Sequence, residues 1–175
     1  MASLSSSSFF TSLVKKISLF GGICLCLACF FLPLSSSLLG AFTTLAALCW
    51  LLSGEFFKLR EILIRYPAAF ASLILFLFMI VAISYSPAEM DEAVYALKKY
   101  RELLLFPIVM TIFSLSGKIR EQAENCFLTG CIVLMVISYC MAFGLLPEDR
   151  YGHSIVFHIT HNFFMALLAF WSLHR

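Results

Sequence analysis

The residues best suited to chemistry lie in the stretch "DEAVYALKKYRELLLFP", which places Lys98, Lys99 and Arg101 directly before an apolar run. An arginine guanidinium matches a phosphate with two parallel hydrogen bonds, and a lysine ammonium adds a mobile positive charge. Lys98 and Arg101 are three residues apart and therefore share one face of a helix. The spacing predicts a binding site for a pyrophosphate or a sugar phosphate.

Two other interpretations of these cations stay open. The basic side chains could extend to lipid phosphates as a simple membrane anchor. Alternatively, they could be neutralised by nearby carboxylates, which are Glu89, Asp91, Glu92 and Glu102.

Arg101 also falls in an apolar stripe between Leu97 and Leu104. A guanidinium at membrane depth costs roughly 2.5–3.5 kcal/mol on insertion scales, so it normally faces a bundle interior or a wet cavity.

A second polar cluster lies in "HSIVFHITHNFFMA", where His158 and His161 share a helix face and Asn162 is adjacent. Hydrogen bonding between helices is one interpretation. Binding of a phosphate or sugar at the mouth of a cavity is the other. A zinc site takes three or four protein ligands, and His153 is five residues from His158 on a different face. No metal and no other cofactor is therefore expected.

Several common catalytic patterns are absent from the sequence. It contains no Gly-rich dinucleotide motif, no P-loop, no H-E-x-x-H and no G-x-S-x-G. Acidic residues occur beside cations in predicted loops, so no catalytic residue is named. No basic stripe is interleaved with stacking aromatics, which argues against a nucleic-acid partner.

The composition is that of an integral membrane protein. Of the 175 residues, 62% are hydrophobic and 13% are charged, with a mean hydropathy of +0.97. A soluble domain is nearer half apolar and a quarter charged, and one small core cannot hide so much apolar surface. Most of the seven cysteines lie in apolar runs, where they act as small hydrophobes.

The pattern of apolar runs predicts an all-α, polytopic transmembrane bundle of about six spans. A run of roughly 20 residues crosses the hydrocarbon. Residues 1–16 are predicted to be a disordered cytoplasmic tail and residues 17–175 a transmembrane helical domain. The first run resembles a signal peptide, but further runs follow at once, which favours a first transmembrane helix. The predicted spans are 17–32, 38–53, 68–84, 103–116, 126–146 and 155–173.

The distribution of the 12 cations predicts the orientation, because cytoplasmic loops are enriched in Lys and Arg. One side collects Lys15, Lys16, Lys58, Arg60, Arg65, Lys118, Arg120 and Arg175. The other side has only Lys98, Lys99, Arg101 and Arg150. The amino terminus is therefore predicted to be cytoplasmic. Lys98, Lys99 and Arg101 are then predicted to lie on the outer side of the membrane. The start of the sixth span lies on the same side.

Two stretches carry a family resemblance. The first is Tyr85, Ser86 and Pro87 followed by "LKKYRELLLFP", after a basic loop and a span. The second is "FHITHNFFMALLAFW", with the pattern of His158, Ile159, Asn162 and Met165. In order and spacing, the chain after Ser35 resembles the amino-terminal part of bacterial O-antigen ligases.

The resemblance implies a glycosyltransferase in the bacterial inner membrane, a multi-pass protein in lipopolysaccharide biosynthesis. Such enzymes move a polysaccharide from undecaprenyl pyrophosphate to the lipid A core at the periplasmic face, without metal. The implied partners are the undecaprenyl-pyrophosphate-linked glycan, the lipid A core and membrane lipids. Both substrates carry phosphate, so the substrate-binding candidates are Lys98, Lys99, Arg101, His158 and His161.

The family's catalytic arginine and histidine residues lie in and near a large periplasmic loop that has no counterpart in this sequence. The resemblance therefore implies an incomplete version of a larger bundle, inactive by itself, with no catalytic residue carried over. The related O-antigen polymerase is one alternative. A non-enzymatic integral membrane protein or transporter subunit is another, although transporters typically show paired broken helices in two repeats. Here Pro107 marks a single predicted kink.

Overall fold

The computed structural model describes residues 2–85, 90–147 and 154–174, and the regular secondary structure in these ranges is entirely helical. The all-α fold class is therefore confirmed. A 3-10 helix, Glu55–Lys58, precedes α3. The helices are α1 (Ala2–Phe31), α2 (Ser36–Leu52), α3 (Leu59–Arg65), α4 (Pro67–Ile83), α5 (Met90–Lys99), α6 (Glu102–Leu115), α7 (Gly117–Ala142) and α8 (His158–His174).

Two helical segments of the described chain are long and apolar enough to cross a membrane. They are Ser12–Phe31 within α1 and the whole of α7. A third candidate exists if α2 and the bent segment Glu55–Arg65 are counted as one span. Helix α4 is apolar but has only 17 residues. The structure thus gives two or three candidate spans by length and composition.

The helix bounds differ from the sequence-based map at three places, one of which is α7, which starts at Gly117 where the predicted span starts at residue 126. The stretch between α2 and α4 was predicted to be a loop, whereas the structure makes it a 3-10 helix followed by α3. Helix α1 has the bounds Ala2–Phe31, and its candidate span starts at Ser12. The division of the chain at residue 16 stays a prediction.

Three prolines lie at a helix start or just beyond a helix end. Pro33 follows the end of α1, Pro67 is the first residue of α4, and Pro147 lies beyond α7. Proline suits the first helical position because the N–H it lacks would have no partner there. Pro87 lies outside the described residues. Pro107 is buried inside α6, and the Thr111 hydroxyl donates to its carbonyl oxygen at 2.8 Å.

The contacts divide the chain into two compact units, Met1–Gly21 with Ala46–Gly117 and Gly22–Leu45 with Lys118–Arg175. In the first unit α4 packs against α5 and α6, and α3 packs against α4 and α6. The Trp50 indole is buried edge-on to the Phe56 ring, with centroids 6.4 Å apart. The other side chains of this unit that are buried, among those the structure describes, are Ala46, Cys49, Ile62, Ala69, Pro107, Thr111 and Ile112.

In the second unit the carboxyl-terminal part of α1 lies unusually close to α7. A Cβ atom added at Gly130 would clash with the carbonyl oxygen of Phe30, and one added at Gly22 would lie 2.6 Å from Cδ1 of Ile119. The Cys26 thiol donates to the Ile119 carbonyl oxygen at 3.7 Å. Small residues at both helix surfaces allow this approach, as is common between membrane helices.

The core of the second unit also joins α7 to α8. Cys131 and Leu134 of α7 and Phe164 of α8 form its buried centre. The rings of Phe127 and Phe164 meet edge to face with centroids 6.1 Å apart. Helix α7 therefore contacts α1 through one part of its surface and α8 through another, and it sets the position of both.

Replacing Gly130 by Ala tests the α1–α7 contact. The new methyl group would meet a backbone oxygen, which cannot rotate away, so we expect a loss of about 1–3 kcal/mol in unfolding free energy. The measurement is thermal or denaturant unfolding in detergent micelles. Gly117→Ala is the matched control, because nothing lies within 4 Å of its added Cβ. Equal stability of Gly130→Ala and the control would show that the helices are not packed this closely.

Candidate functional site

A cavity of about 830 Å³ lies between α7 and α8 in the second unit. Its volume is in the range that holds a small-molecule ligand. Helix α7 contributes Ile132, Met135, Ser138, Tyr139 and Ala142 to its wall. Ser154 and α8 contribute the rest, with His158, His161, Met165, Leu168, Ala169 and Ser172.

The start of α8 places both histidines in the cavity wall. The His161 N–H donates to the Phe157 carbonyl oxygen at 3.0 Å, which closes the first turn of the helix. His158 and His161 are three residues apart, so their side chains project from the same helix face. The structure brings these two candidate residues together in one cavity, while the adjacent Asn162 is exposed and does not line it.

A hydrogen bond between two helices is the main polar feature of this cavity. The Ser138 hydroxyl of α7 lies 3.1 Å from Nε2 of His161 of α8, and both side chains are partly buried. The imidazole tautomer decides which of the two groups donates. This bond joins polar groups that would otherwise face apolar surroundings, and it fixes the imidazole relative to α7.

The remaining wall of the cavity is largely apolar. Methionine, leucine, isoleucine and alanine side chains supply most of it. Ser154 is buried, and its hydroxyl accepts the Val156 N–H at 3.3 Å. The His158 ring lies against the Phe157 ring, with centroids 4.2 Å apart. The cavity therefore offers apolar contact together with histidine and serine groups that can hydrogen-bond to a polar head.

Sequence reasoning did not identify Ser138 and Ser154 as members of the site. Ser138 is the one serine in the apolar part of α7, so its polarity was the available signal. Its partner is 23 residues away in the chain, and only the pairing of α7 with α8 brings the two together. Ser154 lies outside a helix, so helical spacing in the sequence does not predict which residues lie next to it.

The cation cluster lies in the first unit, at the junction of α5 and α6. Lys98 and Lys99 are in the last turn of α5, Arg101 precedes α6, and all three side chains are exposed. The Leu104 N–H donates to the Arg101 carbonyl oxygen, three residues back. The predicted apolar stripe is therefore interrupted at Arg101, because two helices meet there instead of one continuing.

The three cations make no ion pair with a carboxylate in the part of the chain that the structure describes. Asp91, Glu92 and Glu102 lie within the described ranges, whereas Glu89 lies outside them. Local neutralisation by the first three is therefore not observed. Contact with lipid phosphate and contact with a substrate phosphate stay open for Lys98, Lys99 and Arg101.

The two candidate clusters belong to different compact units, the cations to the first and the histidines to the second. Among the described residues, no group of three or more His, Cys, Asp or Glu side chains is arranged to hold a metal ion. His153 lies outside the described residues. The second unit thus contains a partly apolar cavity with hydrogen-bonding groups. The first unit contains an exposed basic junction.

Comparisons of the chain with family models, with curated proteins and with solved structures find no match.

A double-mutant cycle on Ser138 and His161 tests the hydrogen bond between α7 and α8. We expect Ser138→Ala and His161→Ala each to lower the unfolding free energy, with a coupling of about 0.6–1.7 kcal/mol between them. Unfolding in detergent is the measurement. Ser172→Ala is the matched control, because this serine also lines the cavity but bonds only to Leu168 of its own helix. Additive losses at Ser138 and His161 would mean that the bond does not hold the helices.

Proposed function

We propose that this chain is the amino-terminal part of an O-antigen ligase-like membrane glycosyltransferase. In this proposal it holds an undecaprenyl-pyrophosphate-linked glycan for transfer to the lipid A core. The observation that carries the proposal is the α7–α8 cavity, in which Ser138, His158 and His161 are set in an apolar wall. The sequence resemblance supplies the substrate class, and the cavity supports it on physical grounds.

The chemistry of a lipid-linked pyrophosphate suits such a cavity. Its isoprenoid part is apolar and can pack by van der Waals contact against Met135, Met165 and Leu168. Its phosphate oxygens accept hydrogen bonds, which the imidazole N–H groups and the serine hydroxyl can donate. Bonds to a charged acceptor are about twice as strong as neutral ones. In this role the histidines bind substrate and are not catalytic residues.

The exposed cations at the α5–α6 junction support the same proposal. Lys98, Lys99 and Arg101 present positive charge without a carboxylate partner among the described residues. Both the donor lipid and the acceptor lipid carry phosphate, so a basic surface at the level of the headgroups would attract either one. The proposal therefore assigns these residues to substrate capture.

The six-span topology belongs to the proposal as well. Each of the six apolar runs overlaps a helix, namely α1, α2, α4, α6, α7 and α8. Helices of 14 to 17 residues are about 21–26 Å long, which is short for the hydrocarbon core. Short spans are accommodated by local thinning of the bilayer at modest cost. With the amino terminus in the cytoplasm, the α5–α6 junction faces the periplasm.

Binding of a polyprenyl pyrophosphate tests the assignment of the cavity. Using the purified full chain in detergent, we expect His161→Ala to weaken binding of undecaprenyl pyrophosphate about tenfold or more, since a charge-assisted hydrogen bond is lost. The affinity is measured by fluorescence or calorimetric titration. His174→Ala is the matched control, because this exposed histidine of α8 does not line the cavity. No binding by the unmodified chain, or equal weakening by both variants, would contradict the proposal.

Labelling of a single introduced cysteine tests the orientation. Tyr95 of α5 is 74% exposed, whereas Ala93 lines a cavity against α4, so Tyr95→Cys is the accessible probe. We expect a membrane-impermeant maleimide to label it in intact spheroplasts. Lys118→Cys, on the predicted cytoplasmic side, should be labelled only after the membrane is opened. The unmodified chain measures any background from its native cysteines, and the reverse pattern would invert the topology.

A non-enzymatic integral membrane protein is the second candidate function. The Ser138–His161 bond favours it, because hydrogen bonds of this kind stabilise helix bundles without any chemistry. The binding experiment separates the two candidates, since a purely structural role predicts loss of stability in the His161 variant without any affinity for the polyprenyl pyrophosphate. The related O-antigen polymerase, which uses the same carrier lipid, is the alternative within the enzyme class.

A further inference from the structure

A right-angle turn follows α2 in the first unit. The axes of Ser36–Leu52 and Glu55–Arg65 differ by 87°, and Gly54 sits at the turn with a φ of +72°. This left-handed conformation favours glycine. The segment after the turn carries Lys58, Arg60 and Arg65, which the hydrocarbon core does not accept cheaply. If α2 crosses the membrane, α3 accordingly runs along the surface and does not continue the span.

The two sides of this segment differ in the way expected for a helix at a membrane surface. Ile62 is only 5% exposed and packs inward, whereas Phe57 is 80% and Ile64 is 76% exposed. Large apolar side chains this exposed on a basic helix are typical of segments that bury one face at the boundary between headgroups and acyl chains. The exposed apolar side chains are therefore accounted for by lipid contact.

A groove of about 780 Å³ runs beside these side chains, and Arg60 is its one charged lining residue. Arg60, Leu63 and Ile64 are spaced three and four residues apart and share a helix face. The Arg60 guanidinium makes no hydrogen bond or ion pair within the described ranges. The remaining lining residues are Phe56, Phe57, Leu59, Pro67 and Phe70.

We infer that this groove binds an anionic phospholipid, with an acyl chain along the aromatic and aliphatic wall and the phosphate on Arg60. The charge of the groove selects the ligand, since a single unpaired guanidinium among apolar side chains complements one negative headgroup beside a hydrocarbon chain. A zwitterionic lipid offers a phosphate accompanied by its own cation and is bound less tightly. The groove lies in the first unit, so the inference is independent of the function proposed for the α7–α8 cavity.

The test compares two phospholipids on the purified full chain in a mild detergent. Native mass spectrometry counts bound phosphatidylglycerol and phosphatidylcholine, and a lipid titration gives the affinities. We expect the unmodified chain to retain phosphatidylglycerol about tenfold more tightly than phosphatidylcholine, and Arg60→Gln to remove that preference. Arg120→Gln is the matched control, because Arg120 is an exposed arginine of α7 that does not line the groove.

Two further measurements keep the outcome decisive. Leu63→Trp fills the groove and should weaken both lipids, which identifies the acyl chain as part of the ligand. Free glycerol phosphate should not displace phosphatidylglycerol, which distinguishes a lipid from a soluble phosphate. Equal retention of the two lipids by the unmodified chain, equal loss in Arg60→Gln and Arg120→Gln, or displacement by glycerol phosphate would each overturn the inference.

Discussion

Gly130 lets the backbone of α7 lie directly against the carbonyl oxygen of Phe30, and the second unit depends on this contact. A larger residue at this position would push α7 away from α1 by the width of a methyl group. Because α7 is continuous from Gly117 to Ala142, such a shift would also move Ser138, which lies about two turns further along. Cys131 and Leu134 of α7 also pack against Phe164 of α8, so the α1–α7 contact helps to set where the cavity wall lies.

Most hydroxyl groups inside the described helices bond to their own backbone, whereas Ser18 donates to Glu55 and Ser138 pairs with His161, and only the second of these two bonds lines the cavity. Thr44, Ser72, Thr111 and Ser172 each donate to a carbonyl oxygen three or four residues back in their own helix. Such bonds satisfy a hydroxyl in apolar surroundings without reference to any other helix. Ser138 instead lies within hydrogen-bonding distance of a histidine on another helix. A hydroxyl that does not use its own backbone is available for a partner, whether that partner is a protein side chain or a ligand.

The sequence predicts structural features that depend on local composition. It does not predict features that depend on which helices pack against each other. The apolar runs give the positions of six helices and most of their ends, because the apolar character of a segment is a local property. The spacing of His158 and His161 gives their common face for the same reason. The partner of His161 depends on a contact between residues 23 positions apart in the chain. Periodicity within one segment holds no information about such a contact.

Two arginines of the first unit show why the setting of a charge matters more than its identity. Arg101 lies exposed where α5 and α6 meet, beside Lys98 and Lys99, so it belongs to a diffuse basic surface that any anion can approach. Arg60 lies alone in the wall of an apolar groove, where a ligand must supply hydrocarbon as well as negative charge. A surface of the first kind attracts anions of any shape, and salt screens that attraction strongly. The second is selective because apolar contact and one charge must be satisfied together, and the apolar part of that selectivity persists at high salt.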